Sequence, residues 1–68
     1  MNLSVEISQE SDGRWIAEVP ELVGVLAYGA SREQAIFGAE ALALHVIAER
    51  LEHGEETPEL AQIFSVAA

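Results

Sequence analysis

His45 and Glu49 stand four residues apart in a stretch of strong helix formers, a spacing that sets an imidazole and a carboxylate one turn apart on one helix face. Such a pair could share a metal ion, and His53 follows beside Glu52, Glu55 and Glu56. A closed metal site needs three or four ligands with supporting hydrogen bonds, so these side chains read more simply as a solvated polar ridge. Nucleophilic catalysis has no constellation to work with. The chain has no cysteine, and both histidines fall on the same helical region, so neither a Ser–His–Asp nor a Cys–His arrangement can be assembled. Two-cation nuclease chemistry needs several carboxylates converging on one point. Here Glu6 faces away from the Leu3, Val5 and Ile7 side of its strand, and the other acids fall in turns or on the helix ridge. No enzyme, no metal and no cofactor are expected.

The acids are better suited to binding. Twelve acidic against three basic residues give a formal charge of −9, which repels nucleic-acid phosphates and favours a basic protein partner. With 68 residues, half of them hydrophobic, the chain is expected to form a single domain over residues 1–68, with a core small enough that association would help it. The absence of cysteine fits an intracellular protein. Neither a leader pattern at residues 1–4 nor a run long enough to cross a bilayer is present, so a soluble cytoplasmic protein is expected.

The elements that must position these groups can be read from periodicity. Leu3-Ser4-Val5-Glu6-Ile7-Ser8 alternates apolar and polar, as a strand with one buried face requires. Ser11-Asp12-Gly13 supplies a turn, and residues 14–19 resume an extended run, giving a hairpin. Pro20 ends the second strand, and residues 25–28 form a third. Ser31 and Gln34 form a capping box that opens a helix over 32–53, closed by Gly54 in a left-handed conformation. Within that helix Gly38 is the weak point. After the polar break at 55–58, residues 60–66 read as a short fourth strand.

Apolar side chains occupy two stripes of this helix. Ala35, Ile36, Ala39, Leu42, Ala43, Val46 and Ile47 face a core, while Phe37, Ala41, Leu44 and Ala48 form a second stripe on the flank. The second stripe is covered either by the C-terminal segment or by another subunit; a homo-oligomer buried at Phe37, Ala41, Leu44 and Ala48 is the expectation.

The segment Asp12-Gly13-Arg14-Trp15-Ile16-Ala17-Glu18-Val19-Pro20-Glu21-Leu22-Val23-Gly24, followed by Tyr28-Gly29-Ala30-Ser31-Arg32-Glu33-Gln34-Ala35, resembles the N-terminal domain of the HicB antitoxin family. The resemblance covers residues 1 to about 66. It implies an α+β, partial RNase H-like fold: a three-stranded antiparallel meander, one long helix on one face, and a short fourth strand parallel to strand one. It also implies a function, neutralising a small basic HicA-type mRNA-cleaving toxin by covering its active surface. The chain departs from the family at Val23, where a second proline is typical, and in stopping at Ala68 without a DNA-binding module, which argues against transcriptional control. Glu10, Asp12, Glu18 and Glu21 bracket strand two and could meet the toxin's Lys and Arg side chains in place of phosphates, or could be ordinary solubilising charge. Trp15 is either a core anchor or a contact residue beside them. The alternative function is an orphan oligomeric module that binds a small ligand or another protein, with no toxin.

Overall fold

A computed structural model describes residues 3–58 and 63–67. Three strands, β1 (Glu6–Gln9), β2 (Trp15–Glu18) and β3 (Leu26–Gly29), form an antiparallel sheet in the order β1-β2-β3, and a single helix, α1 (Arg32–Glu52), crosses one face. The α+β class and the meander expected from periodicity are therefore present.

Each connection has a local cause. The β1–β2 loop is three residues, Ser11 to Gly13: the Glu10 N–H donates to the Arg14 carbonyl at 2.7 Å, and the Gly13 N–H to the Glu10 carbonyl at 3.0 Å. Gly13 takes a φ of +94°, the left-handed residue that such a hairpin requires. Its length fixes the register, pairing Glu6 with Glu18, Ile7 with Ala17, Ser8 with Ile16 and Gln9 with Trp15. Between β2 and β3 the chain makes two successive turns, Leu22 N–H to Val19 carbonyl and Val25 N–H to Leu22 carbonyl, with Gly24 at φ +83° in the second. That double turn folds Leu22 inward, where it is 1% exposed, and leaves Val23 outside.

At the helix start the Ser31 hydroxyl accepts the Gln34 N–H at 3.1 Å, as expected, and the Gln34 side-chain carbonyl reaches back to accept the Ala30 N–H at 3.0 Å. At its end the Gly54 N–H donates to the Leu51 carbonyl and the Glu55 N–H to the Arg50 carbonyl, with Gly54 at φ +75°. These two bonds satisfy carbonyls that the helix end would otherwise leave unpaired.

Helix and sheet meet through small residues. The core is Ala17, Val19, Leu22, Val25, Ala35, Ala39, Ala43 and Ile47, flanked by half-buried Leu3, Val5, Ile7, Trp15, Ala27, Ile36 and Val46. Gly38 lies so near the sheet that a methyl group built on it would stand 3.0 Å from the Ala27 Cβ, which explains a glycine in mid-helix. The helix lies across β3 and β2 and barely reaches β1.

Two expectations are corrected. Leu42, read as core-facing, is 36% exposed, because it falls at the margin of the arc that the sheet covers. Residues 63–66 of the expected fourth strand form no strand, and Ile63, Phe64 and Val66 are exposed; 60–62 lie outside the described residues. This segment therefore does not cover the flank of α1 among the described residues.

A methyl group at Gly29 would sit 2.5 Å from the Ala35 backbone nitrogen, where no side chain can yield. Gly29→Ala is expected to lower stability by about 1–3 kcal/mol, as overpacking does, in a urea unfolding titration followed by circular dichroism.

Candidate functional site

Alternation along the strands gives the sheet two unlike faces. Ile7, Ala17 and Ala27 are cross-strand neighbours facing α1, as are Gln9, Trp15 and Gly29. On the face away from the helix stand the rows Ser8, Ile16, Tyr28 and Glu6, Glu18, Leu26, continued beyond the paired residues by Glu10 and Arg14. Glu6, Ile7, Ser8, Glu10, Ile16 and Glu18 line a shallow concavity of about 420 Å³ there. It has Ile16 at its centre and three carboxylates around it. Beyond it, Tyr28 and Leu26 are 50% and 38% exposed.

The charge pattern of this face is costly to the free protein. Glu6 and Glu18 are directly opposed on adjacent antiparallel strands, side chains on the same face, an arrangement that like charges destabilise. The one cation on the face among the described residues is turned away from them: Arg14 donates from Nε to the Asp12 carboxylate at 2.8 Å and stacks its guanidinium 4.8 Å from the centre of the Tyr28 ring. Glu6, Glu10 and Glu18 make no ion pair among the described residues.

The five residues singled out from the sequence separate into four groups. Glu10 and Glu18 share the concavity, together with Glu6 and Ile16, which were not singled out. Asp12 is engaged in its own turn, accepting the Arg14 N–H at 3.1 Å as well as the Arg14 guanidinium. Those bonds, first the one from the Arg14 backbone, hold its carboxyl below the usual aspartate range. Glu21 binds the start of the chain, accepting from the Ser4 hydroxyl and, at 3.1 Å, from the Ser4 N–H. The Ser4 hydroxyl is the main cause of a Glu21 pKa lowered from its ordinary value. Trp15 is on the opposite, helix-covered face, half-buried against the core. It is thus a packing residue rather than a neighbour of the carboxylates.

On the helix, Phe37, Ala41, Leu44 and Ala48 are all exposed, with Phe37 at 67% and Leu44 at 57%. His45 and Glu49 are exposed beside them. Among the described residues no three His, Asp or Glu side chains gather as metal ligands, and no helix is long and apolar enough to cross a membrane. Comparison with protein-family models, curated proteins and solved structures finds no match for the chain.

Removing the opposed charge is expected to help folding: Glu18→Gln should raise stability at neutral pH by about 0.2–1 kcal/mol, and the gain should shrink in 1 M salt. For Glu21 the sign is that of a depressed carboxylate. Its bonds to Ser4 contribute fully above the ordinary glutamate pKa, and the contribution is lost as pH falls through the lower folded-state value. A carbon-detected titration should place the Glu21 midpoint below that of glutamate in an unstructured peptide, and Ser4→Ala should bring it back up.

Proposed function

We propose that this chain is an antitoxin-like binding protein that neutralises a small basic HicA-type mRNA-cleaving toxin by covering the toxin's active surface. The observation that carries the reading is the outer sheet face, where Glu6 and Glu18 oppose each other beside Glu10, around an apolar centre at Ile16. A like-charge pair that costs the free protein stability is relieved when a cation enters between its members. A toxin surface built to hold RNA phosphates presents Lys and Arg for this purpose, and the carboxylates take the phosphates' place. Leu26 and Tyr28 extend the same face with apolar contact area.

The resemblance to the HicB N-terminal domain supports the same reading from residues 12–35. Under it, the fold is of the partial RNase H-like kind. A groove of about 230 Å³ is lined by Leu3, Val5, Val19, Glu40, Ala43 and Leu44, between the start of the chain and the helix. The protein works in the cytoplasm as a homo-oligomer, without cofactor, metal or nucleic acid.

Affinity purification from the source cell, with mass spectrometry of what is retained, tests the reading. The wild-type chain should retain one small basic protein, and co-expression should rescue growth from it. The variant Glu6→Lys/Glu18→Lys should weaken retention by roughly tenfold or more, through slower association that is sensitive to salt. Retention of no basic protein, or equal retention by the charge-reversed variant, overturns the proposal.

A further inference from the structure

Phe37, Ala41, Leu44, Ala48 and Leu51 are all exposed on α1, and their spacing of four, three, four and three residues is that of a coiled-coil seam. The seam alternates large with small: Phe, Ala, Leu, Ala, Leu. It carries no charge in a chain of net charge −9. Its relief follows the alternation, for a hollow of about 270 Å³ opens at Ala41 between Leu44 and His45, and the groove beside Glu40 and Ala43 opens on the other side of Leu44. Leu44 is therefore a ridge between two depressions.

We propose that this seam is the contact between two copies of the chain, whose α1 helices pack antiparallel about a two-fold axis passing between residues 42 and 43. The proposal gives a direction and register to the self-association contained in the function proposed above. Reversal of the second helix puts Phe37 opposite Ala48 of the partner subunit and Leu44 opposite Ala41 of the partner subunit. The layers made by Phe37, Ala41, Leu44 and Ala48 then each join a large side chain to a small one, the two Leu44 ridges enter the two Ala41 hollows, and Leu51 falls at the end of the contact, level with Gln34. A parallel pairing in register would stack alanine on alanine and phenylalanine on phenylalanine, leaving voids in alternate layers. The occupant is a second copy rather than a foreign protein because the surface complements itself: ridge and hollow are three residues apart and exchange places under the two-fold. An uncharged strip is also what two strongly acidic chains need in order to meet.

The chain has no cysteine, so introduced cysteines report on register without background. Mixing Phe37→Cys with Ala48→Cys under mild oxidation should give the mixed disulfide. Each variant alone should give little, because like positions lie about 16 Å apart along the helix in this register. Sedimentation of the wild-type chain at micromolar concentration should give twice the chain mass, and Leu44→Asp should give the single mass with unchanged helical circular dichroism. Ala41→Leu stays apolar but fills the hollow, and should also shift the chain towards monomer. A monomeric wild type, a dimer unaffected by both variants, or self-linked Phe37→Cys in place of the mixed disulfide overturns the proposal. These measurements need no partner protein, so a monomer that still captures a basic protein would remove the seam and leave the binding function standing.

Discussion

The close approach of α1 to the sheet governs the rest of the molecule. Gly38 stands over Ala27, Gly29 lies against the Ala35 backbone, and Ala17, Ala35, Ala39 and Ala43 fill the layer between. Small side chains let the two backbones come near enough for dense packing, but they bury little apolar area each. Larger residues close the ends of this thin layer: Leu22 is folded in by the double turn after β2, with Val19, Val25 and Ile47 around it. A glycine at position 38 weakens the helix in isolation, and the packing it allows offsets that cost.

A thin core leaves the chain's bulk elsewhere. Half the residues are hydrophobic, yet Phe37, Leu44 and Leu51 lie on the far side of the helix, and Leu26 and Tyr28 on the far side of the sheet. Folding in a domain of this size removes only part of the chain's surface from water, so the outward residues hold binding free energy that folding has not used. The two outer faces differ in kind. The helix seam is uncharged and ridged, while the sheet face surrounds Ile16 with carboxylates.

Much of this was legible in the sequence, because alternation, turn residues and caps are local signals. The three-residue loop Ser11 to Gly13 even contains the register: counting outward from Glu10 and Arg14 brings Glu6 opposite Glu18. Glu6 was nevertheless overlooked as a site residue, since pointing away from the core looked like ordinary solvation until its neighbour across the strand was known. Glu21 has a partner within the chain that periodicity did not reveal. Pro20 and the turn at Val19 to Leu22 carry the chain away before β1 can pair back to Leu3, so the Glu21 carboxylate, rather than a backbone ladder, holds Ser4. Trp15 shows the limit of composition as a guide, because strand parity alone decided that it faces the helix. The stretch from Ile63 to Val66 has strand-like composition, but pairing is a tertiary event that composition does not determine.

A two-layer domain has two outer surfaces, and here they lie back to back. Joining two copies through the helices, as proposed, would consume the uncharged surface and turn both acidic sheet faces outward, on opposite sides of the pair. Neither contact then obstructs the other, and the carboxylates of one copy stay far from those of its mate. The separation matters electrostatically, since Glu6 and Glu18 already repel within one sheet, and their burden would grow if a second acidic face came within a Debye length. Small residues at the helix–sheet contact thus determine the functional geometry. Large apolar side chains lie instead on the back of the helix, and the self-association proposed there would leave the charged face of the sheet free to meet a cationic surface.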